Sequence, residues 1–174
     1  MLRDFNLLAS TSRGNEYEAS SELRRLLEEI AVLTPVIDKT GISGLIAAKT
    51  LTDPFEIIMK LRKILLERPY EFRFILRVIP VEKVVRTNLD EIKQSAVELS
   101  NKIGENETFR VTVEKRFTSV SSHDIIEATA SDIKRKVNLT KPDKILLIEV
   151  IGGYTGLSVV SPDEVLAVVK EKVL

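Results

Sequence analysis

Side chains able to do chemistry gather in one stretch of the chain. Lys115-Arg116 is followed by the hydroxyl-rich run Thr118-Ser119-Val120-Ser121-Ser122 and by the single histidine, His123. Adjacent cations neutralise phosphate, hydroxyls donate to its oxygens, and a helix start offers backbone N–H groups. Ser122-His123-Asp124 has the letters of a catalytic triad. A triad needs side chains converging from distant positions, whereas neighbours at a helix start diverge. The stretch is therefore read as an anion grip, with His123 a helix-start residue able to stack on a base. The alternative is a solvated strand end, the ordinary fate of surface charge.

Other sites are weaker or missing. There is no Cys, which excludes disulfides and thiolate metal sites, and one His cannot build a His-based metal site. No P-loop, no G-x-G-x-x-G after a strand and no H-E-x-x-H is present. No metal and no cofactor is therefore expected. Gly153-Tyr154-Thr155-Gly156 has the letters of an RNA-clamping GxxG loop, but it lies between two strand-like runs and is expected to be a β-turn. Net charge is zero, with 26 basic and 26 acidic residues, whereas nucleic-acid binders are usually basic. The charge is uneven: Lys60 to Arg86 holds eight basic against three acidic residues, and Phe109 to Lys144 eight against five. Arg77, Lys83, Arg86 and Lys141 could extend a basic surface around the grip.

The elements that must position these groups follow from periodicity. A strand over 4–12, a helix over 15–30, and strands over 32–40 and 45–50 around Gly41-Ile42-Ser43-Gly44 open the chain. Asp53-Pro54-Phe55-Glu56 starts a second helix, and Phe72 to Val81 alternates as a strand with Phe72, Phe74, Leu76 and Val78 on one face. This β-α-β-β-α-β order is ferredoxin-like. A helix from Thr87-Asn88-Leu89-Asp90-Glu91 to about Gly104 begins a second unit. The strand carrying Phe109, Val111 and Val113 leads to Lys115-Arg116. The next helix has Ile126, Ala130, Ile133 and Val137 as its stripe and Lys134-Arg135-Lys136 in its last turn. Lys144 to Ile151 is expected to be a central strand, Leu157 to Val160 another, and a helix with Val165, Val169 and Val173 on its face closes the chain. The expected class is α/β (α+β), with domains at 1–86 and 87–174. No membrane-spanning run or secretory leader is seen, so a cytoplasmic location is expected. Abundant Ile, Val, Lys, Glu and Arg with little Met weakly suggests a thermophile.

Several of these residues together resemble the THUMP family of RNA-binding modules. Thr108-Phe109-Arg110-Val111 matches its strand, Lys115-Arg116 its basic position, and the segment after Ser122 its helix. Val137-Asn138-Leu139-Thr140-Lys141-Pro142-Asp143 matches its connector, and Lys144 to Val150 its apolar strand. The preceding ferredoxin-like unit also fits, because such domains commonly follow one. Arg86-Thr87-Asn88-Leu89 and Gly156-Leu157-Ser158-Val159-Val160 are most similar to the stand-alone adaptors of tRNA cytidine acetylation. Asn138 departs from the common Asp, and Ala128-Thr129 from a common Gly. The resemblance implies a non-catalytic adaptor that binds tRNA and partners an RNA acetyltransferase or another tRNA-modifying enzyme. Acetyl-CoA and ATP would then bind that enzyme. Lys115, Arg116, Ser119, Ser122 and His123 are the expected RNA contacts, with Arg77, Lys83, Arg86 and Lys141 around them. Two rival readings remain: a protein-interaction scaffold whose charge only solvates it, and a small-ligand-binding ferredoxin-like protein.

Overall fold

A computed structural model describes residues 2–172. The chain forms two compact units. The first opens with β1 (Leu7–Ser10), α1 (Glu16–Glu29), β2 (Val36–Lys39), β3 (Leu45–Lys49), α2 (Pro54–Glu67) and β4 (Arg77–Pro80). The β-α-β-β-α-β order read from the sequence is present, and the neighbours β4-β1-β3-β2 are all antiparallel. Ala19, Leu23, Leu26 and Leu27 of α1 and Ile57, Ile58, Leu61 and Leu65 of α2 are buried against the sheet, as helical spacing requires. Asp53 caps α2 by accepting from the Phe55 N–H at 2.8 Å.

The second unit contains β5 (Lys83–Arg86), α3 (Leu89–Leu99), β6 (Thr108–Arg116), α4 (Ser122–Ala130), β7 (Lys136–Val137), β8 (Lys144–Ile151) and β9 (Tyr154–Val160). Its sheet order is β5-β9-β8-β6-β7. β6 runs parallel to both β7 and β8, and the other pairs are antiparallel. β8 is central and buried along its length after Lys144, as its near-continuous apolar run predicts. Ile92, Ala96 and Ile125 of the two helices share one core with Phe109, Leu146, Ile148, Leu157 and Val159. After β9 the chain returns to the first unit, adding β10 (Leu166–Ala167) beside β4 and the short α5 (Val168–Glu171).

Four expectations are corrected. The division between units falls after Val81, not after residue 86, because β5 pairs with β9; the segment from Glu164 joins the first unit through β10. No long helix closes the described chain: Val169 is exposed, Leu166 and Val168 are the buried residues, and Val173 lies outside the described residues. Phe72 to Leu76 is not strand. Phe72, Ile75 and Val78 are buried while Leu76 faces solvent. The cause is Glu22 of α1, whose buried carboxylate accepts from the N–H groups of Arg73, Phe74 and Ile75 at 2.7–3.2 Å. Those donors are satisfied by a side chain instead of a strand, so the backbone curls around it. Finally, α4 buries Ile125 and Thr129 while Ile126 is exposed; it ends at Ala130, which packs against the core, and the buried Ile133 lies beyond it. Lys134-Arg135-Lys136 therefore lies beyond the helix, where Arg135 donates to the Ile103 carbonyl at 3.0 Å.

Candidate nucleic-acid interface

Strand register decides which of the candidate residues stand together. Arg86, Tyr154, Ile151 and Arg116 form one row across β5, β9, β8 and β6. Both helices start from this end of the sheet: α3 follows β5 and α4 follows β6. Arg86, Lys115, Arg116, Ser119, Ser122 and His123 thus share one edge, outside the carboxyl ends of the parallel strands, where open α/β sheets bind ligands. Lys141 lies in the connector before β8, at the opposite end and about 23 Å away along the strand. Lys83 sits in a middle row opposite Leu157 and is paired with Glu98 of α3. Arg77 belongs to β4 of the first unit.

Within the shared edge the cations have different partners. Phe109, Val111 and Val113 face the helix-covered core, so alternation puts Lys115 on that side, beside the start of α4. Its Nζ donates to the Val120 carbonyl at 3.3 Å, and it has no carboxylate partner among the described residues. Arg116 points to the other face, where its Nη1 donates to Glu149 Oε2 at 2.7 Å. The Glu149 side chain is only 3 % exposed. A carboxylate in a central apolar strand requires a partner, and Arg116 supplies it. The acidic member of the run from Lys144 to Ile151 was the sequence signal for this pair.

Ser121 caps α4 by accepting from the Asp124 N–H at 3.0 Å, and Ser122 is the first helical residue. Ser119 is exposed in the loop before it. His123 is solvent-exposed and its Nε2 lies 3.2 Å from Glu127 Oε2, one helical turn on. Ser122, His123 and Asp124 therefore do not form a triad. Asn88 caps α3 in the same manner, accepting from Asp90 and Glu91. The first turn of α3 carries these two acids, which oppose an anionic ligand; α4 has the single Asp124 and the adjacent Lys115. Gly152 and Gly153 form the β8–β9 turn, and Tyr154 to Gly156 are already in β9, so the GxxG letters mark a hairpin as expected.

Phe117 at this edge was not identified from the sequence. It is 79 % exposed and adopts φ +54°. A left-handed backbone costs a non-glycine residue about 1–2 kcal/mol, and leaving a Phe in water forgoes about 1.5–3 kcal/mol of burial. Its position directly after the basic pair, in an otherwise polar loop, was the available signal.

At the other end of the sheet the same residue types are consumed internally. Asp143 accepts from the Thr108 N–H and hydroxyl at 2.8 and 3.1 Å, and those bonds hold its carboxyl below the ordinary carboxylate range. Glu107 is held low by Lys144 at 2.8 Å and by the Gly104 N–H at 2.7 Å. Asn138 Oδ1 accepts from the N–H groups of Thr140 and Lys141, and Arg110 donates to the Leu139 carbonyl. The basic stretch from Lys60 to Arg86 is likewise partly neutralised, by Lys60–Glu56, Arg62–Glu171, Arg68 with Glu29 and Glu71, and Lys83–Glu98. Among the described residues no cluster of His, Asp and Glu could hold a metal, and no helix is long and apolar enough to cross a membrane.

Residues 86–160 match the family model of the THUMP domain. An uncharacterized protein of Methanocaldococcus jannaschii is 23 % identical over 170 residues, covering 95 % of this chain and 43 % of its own length. The THUMP domain-containing protein 1 homolog of Drosophila melanogaster is 29 % identical over 96 residues, covering 51 % of this chain and 30 % of its own. This chain thus spans less than half the length of the curated relatives it matches. Among solved structures, a Pyrococcus horikoshii protein superposes with a TM-score of 0.69 at 19 % identity, covering 90 % of this chain and 54 % of that one. A 4-thiouridine synthetase in complex with RNA and ATP gives 0.62 at 17 % identity, covering 90 % and 41 %.

Proposed function

For a chain that carries a THUMP domain over residues 86–160, we propose a tRNA-binding role, and specifically that of a non-catalytic cytoplasmic adaptor. The adaptor presents tRNA to a modification enzyme, an RNA acetyltransferase acting on cytidine. The observation that carries the RNA reading is the edge where Lys115, with no carboxylate partner among the described residues, adjoins the start of α4 and the row ending in Arg86. Lys115 and Arg86 neutralise phosphate; Ser119, Ser122 and the helix start donate hydrogen bonds. A solved structure of similar fold is that of a 4-thiouridine synthetase in complex with RNA, which supports RNA as the class of partner. The acetyltransferase partnership rests on the residues resembling the adaptor group, and the β-α-β-β-α-β first unit suits the ferredoxin-like domain of that group.

The test is tRNA binding measured against salt concentration. Lys115→Ala and Arg86→Ala each lower affinity and reduce the salt slope by about one. Unchanged affinity and slope in both variants would remove this edge from consideration. For the adaptor role, acetylation of tRNA is assayed with the chain alone, the acetyltransferase alone and both together. Product from the chain alone overturns the non-catalytic reading. The extensive internal ion pairing of the basic segments favours the rival scaffold reading, which predicts acetyltransferase binding with no tRNA affinity even at low salt.

A further inference from the structure

Phe117 is the most exposed large apolar side chain of the second unit among the described residues. Continued alternation along β6 would carry residue 117 to the helix-covered side with Phe109, Val111 and Val113. Its left-handed backbone turns it away, and Val120 packs against the core instead. The segment is pinned on both sides of the ring. Gly152 N–H donates to the Arg116 carbonyl at 2.8 Å, and Arg116 is anchored to Glu149. Beyond Phe117, the Val120 N–H donates to Thr118 Oγ1 at 3.2 Å, and the Val120 carbonyl accepts from Lys115.

An aromatic ring exposed to water beside cations in the chain is the arrangement on which an unpaired base stacks while its phosphate meets the cations. The backbone that carries the ring is tied down on both sides, so less chain entropy is lost on binding. Its sequence neighbours are Lys115, Arg116, Thr118 and Ser119, so it is an apolar residue in a polar loop. An apolar protein partner needs a contiguous patch, whereas a base needs one π face with polar surroundings. We propose that Phe117 is a stacking platform for an unpaired nucleobase, so that this edge takes an unpaired nucleotide in preference to the backbone of a continuous duplex. This rests on the RNA reading and goes beyond it, because Lys115 and Arg86 alone would serve either form.

The chain contains no Trp, so Phe117→Trp introduces a single indole reporter. It is titrated in the full chain with a short single-stranded RNA and with a blunt duplex of the same sequence. The single strand is expected to quench the indole and the duplex to leave it unchanged. Phe117→Ala should weaken single-strand binding about 5- to 150-fold with the salt slope unaltered, and Phe117→Tyr should bind as the unmodified protein does. Phe117→Gly, which relieves the positive φ, should lose binding equally while melting no lower. If Phe117→Ala binds normally while Lys115→Ala still loses affinity and slope, stacking is wrong and the phosphate grip stands. Equal quenching by duplex and single strand also overturns the proposal. If the unmodified chain binds neither RNA, the RNA reading fails and stacking with it.

Discussion

The two ends of the second sheet use similar residues to opposite effect. At the amino end of β6, Glu107, Thr108, Asn138, Asp143 and Lys144 satisfy one another and nearby backbone groups. At its carboxyl end Arg116 is taken by Glu149, Lys115 reaches only a carbonyl, and Phe117 stands in water. The amino end contains the connector from Val137 to Asp143, the stretch by which the chain most specifically resembles the THUMP family. That connector is a lock between β6 and β8. Residues that carry the family resemblance and residues proposed to contact a ligand are therefore different sets here, because a lock needs mutual satisfaction and a grip needs groups left over.

The contrast can be broken most forcefully at Arg116, which belongs to the grip by position and to the core by contact. Arg116→Ala removes the guanidinium from a buried carboxylate and should lower the unfolding free energy by about 2–4 kcal/mol in urea titrations. A loss below about 0.5 kcal/mol, the level of an ordinary surface change, would return Arg116 to the exposed cations. Next in size is the difference between two lysines. Lys115→Ala should weaken RNA binding and lower the salt slope by about one, while Lys141→Ala, at the locked end, should change neither.

The helix caps give a finer comparison. Ser121→Ala and Asn88→Ala should each cost about 1 kcal/mol of stability, but only Ser121→Ala should also weaken RNA binding, because α3 begins with two acids. Equal effects on binding would mean that both helix starts face the ligand. The smallest effect is at the locked end and appears with pH. Glu107 and Asp143 have folded-state pKa values depressed below their ordinary ones. Their contribution is fully present above the ordinary carboxylate range and is lost as pH falls through the depressed values. Asp143→Asn should flatten that acid-side slope in pH-dependent melting and leave RNA affinity unchanged.

Much of the architecture was legible because periodicity is local. Ala19, Leu23, Leu26 and Leu27 marked α1, Asp53-Pro54 marked the start of α2, and the run from Lys144 to Ile151 marked the central strand. The stretch from Phe72 to Leu76 misled because alternation cannot reveal that Glu22, fifty residues earlier, would take its N–H groups. The phase of α4 was misread because Ile125 and Ile126 are equally apolar, and the helix stops before Ile133 and Val137, two of the four residues in the expected stripe. The proposed grip was legible in part. Lys115, the hydroxyl loop and the cap do lie at one edge, whereas Phe117 is not marked by the sequence because an apolar letter after a strand suggests burial.

The sequence by itself determined the composition of two α/β units, the caps that start α2, α3 and α4, the hairpin at Gly152-Gly153 and the absence of cysteine chemistry. These depend on residue type, short-range spacing or capping contacts within a few residues. Only the tertiary structure decided which cations share an edge and which are spent. Arg86 and Arg116 are thirty positions apart in the chain yet lie in one row, while Lys141 is removed to the far end. Whether a charge remains available depends on the partner that long-range packing brings to it. Glu149 claims Arg116, and no carboxylate among the described residues claims Lys115.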